Sequence, residues 1–268
     1  MIGAIIGDIA GSIYEFKGLK IKGDFPLFKE ECWFTDDTVM TCAIALSLLE
    51  CEGNYEDLKE LTIYNMHDIG KHYYDTALYG SMFQTWLITY SQEPYNSFGN
   101  GSAMRIGAVP YFAKNLDELK ELTRKVTEIT HNHPEGLKGA EATAVAEWLA
   151  LNGKSKQEIK EYIEQNYYSL DFDEQDLFDN YKFDGSCQGT VPQCIFAFLQ
   201  SNSFEDAVKK VISWGGDTDT MGAITGAIAG AFYGVPQDIK KVCRYFLDER
   251  MTDILDRFNE YVSNIKNN

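Results

Sequence analysis

Basic residues are scarce in this chain: 24 lysines and arginines stand against 41 aspartates and glutamates, a formal charge of −17 over 268 residues. That balance excludes a nonspecific grip on nucleic acid or on an anionic membrane, and it makes cations and basic protein surfaces the expected partners. Much of the excess, notably the stretch from Asp171 to Asp184, reads as solvated surface. Long apolar runs are missing too. Met221 to Val235 carries 15 uncharged residues, short of the roughly 20 that a membrane span requires, so it reads as a core helix. Met1 to Ile13 is apolar, but it has no basic flank, contains Asp8 and lacks a cleavage site, which excludes a signal peptide. No CxxC spacing occurs. Cys32, Cys42, Cys51, Cys187, Cys194 and Cys243 therefore read as reduced thiols, with a cytoplasmic location expected. Nothing resembles a linker rich in Pro, Ser or Gly, so one domain over residues 1–268 is expected.

Helical periodicity dominates what is present. It covers Asp36 to Leu49, Tyr55 to His67, Leu116 to Thr130, Gly139 to Ala150, Lys156 to Glu164, Pro192 to Leu199, Phe204 to Ser213, Thr220 to Tyr233 and Gln237 to Ile265. The strand-like stretch Val109 to Phe112 is short and interrupted by Pro110, so the expected fold is an all-α, many-helix bundle. Two segments carry glycine at every fourth position: Gly3, Gly7 and Gly11, then Gly222, Gly226, Gly230 and Gly234. Each glycine costs a helix about 1 kcal/mol, so flat ridges of this kind imply close packing of the two helices on each other or on a common neighbour.

Two acidic clusters open helical runs, Thr35-Asp36-Asp37-Thr38 and Asp217-Thr218-Asp219-Thr220. Taken singly, each reads as a helix cap in which Thr and Asp satisfy free N–H groups. Taken together they read as a metal site. A cap needs one acceptor, whereas these clusters offer paired acids beside Cys32-Trp33-Phe34 and Trp214-Gly215-Gly216, and buried carboxylates repel unless a cation or proton compensates. Oxygen donors of this kind suit Mg²⁺ or Mn²⁺. Phe98-Gly99-Asn100-Gly101-Ser102-Ala103-Met104-Arg105 reads either as an ordinary turn or as an anion cradle of backbone N–H groups. His131 and His133 lack the further histidines of a zinc site, with only His67 and His72 remaining, and fit substrate contact and helix capping better. Glu15 reads as closing the first glycine-ridged helix, where an acid is unfavourable unless a cation lies near, and Asp8 as a buried acid supporting the site from behind.

In order along the chain, Gly7-Asp8-Ile9-Ala10-Gly11-Ser12 running to Glu15, Phe34-Thr35-Asp36-Asp37-Thr38, Gly99 to Arg105, Thr130-His131 and Gly215-Gly216-Asp217-Thr218-Asp219-Thr220 resemble the ADP-ribosylglycohydrolase family. The resemblance implies an all-α orthogonal bundle around a central dinuclear site. It implies two Mg²⁺ or Mn²⁺ ions held by Thr35, Asp36, Asp37, Asp217, Asp219 and Thr220. Glu15, Asp36 and Asp219 would carry catalysis, with Glu15 matching a mobile glutamate that positions or activates water. Gly99, Asn100, Gly101, Ser102, Met104 and His131 would contact substrate. The implied reaction frees ADP-ribose from a protein side chain, and the Thr130-to-Gly136 segment resembles the arginine-directed members. Two rivals remain open, a two-metal nucleotide phosphoesterase and a non-catalytic ADP-ribose-binding or structural homologue.

Overall fold

Which segments become helices follows from where the chain can bury an apolar stripe behind a capped N-terminus. The computed structural model describes residues 1–15 and 17–267, and thirteen α-helices with three short 3₁₀ turns make up the regular structure of those residues. They are α1 (Ile2–Gly11), α2 (Asp36–Glu50), α3 (Leu58–His72), α4 (Ser81–Ile88), α5 (Leu116–Thr127), α6 (Pro134–Leu151), α7 (Lys156–Asn166), α8 (Glu174–Asn180), α9 (Cys187–Gln200), α10 (Phe204–Ser213), α11 (Thr218–Tyr233), α12 (Gln237–Cys243) and α13 (Glu249–Asn267). The only strand-like pairing among the described residues is an isolated bridge between Gly99 and Ser186. The fold is all-α, and no described helix is long and apolar enough to cross a membrane.

Several expectations need correction. Val109–Tyr111 is a 3₁₀ turn, since Pro110 presets a helical φ. The single run expected from Gln237 to Ile265 is two helices, because Asp248 caps α13 by accepting from the Met251 N–H at 2.9 Å. Helix α9 starts at Cys187, not at Pro192; Ser186 accepts from the Gly189 N–H at 3.1 Å, and Pro192 lies inside the helix. Helix α6 begins five residues before the expected Gly139, where the His133 ring accepts from the Glu135 N–H and Pro134 takes the first helical position. Helices α4 and α8 are too short to declare a period.

The glycine ridges do what their spacing implies. A Cβ on Gly3, Gly7 or Gly11 would come within 2.1, 1.8 and 2.1 Å of the carbonyl oxygens of Gly226, Gly222 and Thr218. Helices α1 and α11 thus touch backbone to backbone, and the order of partners makes them antiparallel. Close approach gives the flanking Ile5, Ile6, Ile9, Ile224 and Ile228, all with no exposed surface, a dense environment that offsets the lost helix propensity. The same antiparallel pairing sets the C-terminus of α1 beside the N-terminus of α11, where the Thr218 hydroxyl donates to the Gly11 carbonyl at 2.8 Å.

Gly7→Ala is therefore expected to destabilise the chain by about 3 kcal/mol or to prevent folding, since a methyl group has no flexible neighbour to displace. Gly80→Ala, at an exposed position with open space around it and φ of −59°, is the control, and only a small loss is expected there. Thermal melts of the two variants decide the matter, and equal melting temperatures would refute the packing argument.

Candidate functional site

Asp8 is the residue from which the site is assembled. It has no exposed surface, and its carboxylate accepts from the Thr35 N–H at 3.0 Å, the Thr35 hydroxyl at 2.7 Å, the Thr38 N–H at 3.0 Å and the Thr38 hydroxyl. An acid on α1 thereby caps α2, satisfying N–H groups that a helix start leaves free. Thr35 adds the ordinary local cap, accepting from the Asp37 N–H at 3.4 Å. With α1 already locked to α11, two helix N-termini converge on one end of α1, and their positive dipole ends favour the acids gathered there.

Those acids form two overlapping groups. Ligand atoms of Asp8, Asp37 and Asp219 lie within 4.8 Å of one another, as do those of Glu15, Asp217 and Asp219. Asp8 Oδ2 takes three of the four donors and Oδ1 one, so Asp8 holds the arrangement together from behind. Asp37 Oδ1 is buried with no hydrogen-bond partner. The Thr220 hydroxyl is loosely held, 3.4 Å from Asp37 and 3.6 Å from the Met104 sulfur. Asp36 faces the same cavity but stands outside both groups. Glu15 is not at a helix end, since α1 stops at Gly11 and Glu15 sits in the turn that follows. Thr35 is fully buried behind the acids.

The cavity above them has a volume of about 470 Å³. Gly99, Asn100, Gly101, Met104, Arg105 and His131 form one wall, and the Asn100 amide donates to Asp217 at 2.7 Å and so fixes the loop to the acids. Ser102 does not reach the cavity. Its hydroxyl donates backwards to the Gly136 carbonyl at 2.8 Å and lies 3.1 Å from Cys187 Sγ. Sequence reasoning missed other lining residues, Leu78 to Phe83, Phe183, and Tyr95, whose ring meets that of His131 at 5.7 Å. The one available signal was Tyr79-Gly80-Ser81, a turn ahead of the unrecognised α4. His133 caps α6, and His67 stacks on Trp86 at 4.0 Å, which disposes of a histidine metal site.

Without a cation this arrangement is electrostatically costly. Burial first, then the charges of neighbouring acids, hold Asp36, Asp37 and Asp219 well above the usual carboxylate range. Burial likewise lifts Glu15 to about 7, with Asp217 and Asp8 adding to the rise and a hydrogen bond to Asp219 opposing it. Asp8 is pushed up to about 6 by burial although its four hydrogen bonds pull the other way. Asp217 is raised by burial, moderated by hydrogen bonds with Asp219, Asn100 and Thr220. Oxygen donors alone, an orphaned buried carboxylate oxygen and mutual repulsion fit a hard divalent cation.

The geometry is that of an all-α protein whose carboxylate floor, beside a glycine-rich loop, could hold metal ions. The sequence profile of the ADP-ribosylglycohydrolase family matches residues 1–267, and the chain belongs to that family. The mouse ADP-ribosylhydrolase ARH3 is 26% identical over 95% of this chain and 88% of its own length. The ADP-ribosyl-[dinitrogen reductase] glycohydrolase of Rhodospirillum rubrum is 27% identical over 87% of this chain and 84% of its own. A solved structure of an ADP-ribosylglycohydrolase-related protein complex superposes with a TM-score of 0.70, covering 96% of this chain and 95% of that one at 22% identity, a likeness of fold.

Because these acids hold protons in the folded chain that they release when unfolded, stability without a cation falls as pH rises from about 4, the unfolded carboxyl value, through about 7. In EDTA the melting temperature is expected to drop by several degrees between about pH 5 and about pH 7.5, and Mg²⁺ or Mn²⁺ to restore it at the higher pH. A flat profile that ignores both pH and cation would contradict the electrostatic description.

Proposed function

We propose that this chain is a divalent-cation-dependent hydrolase that cleaves the glycosidic bond between ADP-ribose and a protein side chain, adding water and releasing ADP-ribose and the free side chain. The observation that carries the reading is the convergence of Glu15, Asp36, Asp37, Asp217, Asp219 and Thr220 from three distant segments onto one cavity floor, beside the Gly99–Met104 loop and His131. Asp36, Asp37, Asp217, Asp219 and Thr220 would hold two Mg²⁺ or Mn²⁺ ions, with Thr35 supporting them from behind. When bound, such ions supply Lewis acidity and fix the vicinal hydroxyls of a ribose.

The residues divide the remaining work. Gly99, Asn100 and Gly101 would line the side on which a diphosphate lies, beside Met104 and His131; the Gly99 and Asn100 N–H groups are spent on Ser97 Oγ at 3.1 Å and the Gly185 carbonyl at 2.8 Å, which hold the loop in shape, while Ser102 braces it from within. Cleavage at the anomeric carbon builds positive charge on the sugar, and the carboxylates beneath stabilise it. Glu15, in a turn at the cavity edge with a proton affinity lifted toward neutrality, is matched to taking the proton of the attacking water. A cavity so rich in carboxylates, on a chain of net charge −17, favours a guanidinium leaving group, so arginine is the proposed linkage. Residues 1–268 are taken as one functional unit.

Purified protein given mono-ADP-ribosylated arginine and serine peptides is expected to release ADP-ribose from arginine in Mg²⁺ or Mn²⁺ and not in EDTA. Asp36→Ala and Asp219→Ala are expected to abolish turnover and cation binding, and Glu15→Gln to slow turnover by about 10²-fold or more while leaving ADP-ribose affinity nearly unchanged. Release of inorganic phosphate would indicate a phosphoesterase, and tight ADP-ribose binding without turnover a binding protein.

A further inference from the structure

Arg105 is among the largest fully buried side chains of the molecule, 1% exposed, and its Nε has no hydrogen-bond partner. Its guanidinium donates to Thr130 Oγ1 at 2.6 Å. A guanidinium can only donate, so Thr130 is the acceptor and keeps its own hydrogen to place elsewhere. Three acceptors lie within reach, His131 Nδ1 at 2.9 Å, the Thr127 carbonyl at 3.5 Å and the Tyr95 hydroxyl, which carries a hydrogen of its own to give to Thr130 and so needs none from it. The carbonyl already accepts from the Thr130 and His131 N–H groups, at 3.2 and 3.0 Å. The hydroxyl hydrogen therefore goes to His131 Nδ1, which must be unprotonated to accept it.

We infer that Arg105, acting through Thr130, holds His131 as the neutral tautomer with its proton on Nε2, which makes His131 a fixed hydrogen-bond donor to an oxygen of the bound ligand. Nε2 lies over the glycine loop, 3.5 and 3.6 Å from where Cβ atoms of Gly101 and Gly99 would stand, and has no partner among the described residues. Both faces of the ring's neighbourhood support neutrality. Protonation at Nδ1 would leave the Thr130 hydrogen only the crowded carbonyl or the Tyr95 hydroxyl, and an imidazolium would set a second positive charge beside Arg105; burial, followed by that charge, depresses the ring's basicity well below the ordinary histidine value. Arg105 and Thr130 are thus positioning residues for a donor that offers a hydrogen bond and no charge. The tautomer rests on the structure alone, and the identity of the ligand, ADP-ribose, rests on the proposed function.

The test is nitrogen NMR of ¹⁵N-histidine-labelled protein near neutral pH without ligand, the His131 signals being assigned with His131→Gln. Wild type is expected to show a protonated Nε2 and a bare Nδ1, Thr130→Ser to keep this pattern, and Thr130→Val to lose it. ADP-ribose affinity should weaken about tenfold in Thr130→Val, the loss of roughly one hydrogen bond, and stay within about twofold in Thr130→Ser. Thr130→Val/His131→Ala should bind no more weakly than His131→Ala, because the two residues act as one unit. A wild-type imidazolium or Nδ1–H form would overturn the inference, as would an unchanged pattern in Thr130→Val. If Thr130→Val fails to fold, the wild-type and Thr130→Ser spectra decide. Absence of ADP-ribose binding to wild type would overturn the ligand assignment, leaving the nitrogen shifts to decide the tautomer.

Discussion

The contact between α1 and α11 is the constraint on which the remainder of the molecule depends. Two helices that each replace side chains by hydrogen atoms along one face can approach until carbonyl oxygens of one lie where the Cβ atoms of the other would be. No other residue type permits this, and the register that results pairs Gly3 with Gly226, Gly7 with Gly222 and Gly11 with Thr218. The consequence is positional: Gly11 meets Thr218, and everything C-terminal to α1 is delivered to the start of α11. Asp8, one turn earlier on α1, then captures the start of α2 with four hydrogen bonds. Three segments separated by up to some two hundred residues are thereby held within hydrogen-bonding distance by backbone contact and one carboxylate.

That precision has an electrostatic cost. Five acids line one pocket with Asp8 behind them, burial and then mutual repulsion raise the proton affinity of the group, and the chain counters with two helix N-termini, the amide of Asn100 and the hydroxyls of Thr35, Thr38 and Thr220. These do not cancel the repulsion, as the elevated Asp36, Asp37 and Asp219 show. The surplus is what a divalent cation would neutralise, so the feature that burdens folding is the one that would bind metal. The wall of the glycine loop follows other rules: there Arg105 is the buried charge, and the hydroxyl of Thr130 converts it into the orientation of a neutral ring.

Long amphipathic helices were legible wherever one face alone was apolar and a cap was plain. Phe204 to Ser213 is read to the residue because Ser203 caps it and its stripe is clean. Helix α4 was not legible: Phe83, Trp86 and Leu87 are its buried face, but eight residues hold too few repeats to define a period. Helix α8 had a signal, the Asp173 carboxylate accepting from the Asp176 N–H at 2.8 Å, yet it lies inside an acidic stretch that composition alone assigns to solvated surface. In the same way Asp248 marked the break between α12 and α13, hidden because the apolar spacing resumes in phase on either side.

The sequence by itself determined that the chain is helical, that its glycine ridges pack closely and that the acids of Thr35–Thr38 and Asp217–Thr220 belong to one chemistry, because spacing and residue type are local properties. It could not tell which of those groups face the ligand. Thr35 and Ser102 turn inward to brace what stands before them, Glu15 lies beyond the helix it was expected to close, and Leu78 to Phe83 line the cavity from a segment whose one signal was the Tyr79-Gly80-Ser81 turn. Orientation of this kind is decided only when helices from distant parts of the chain meet, since a side chain's partners are then set by packing in three dimensions and not by its neighbours along the chain.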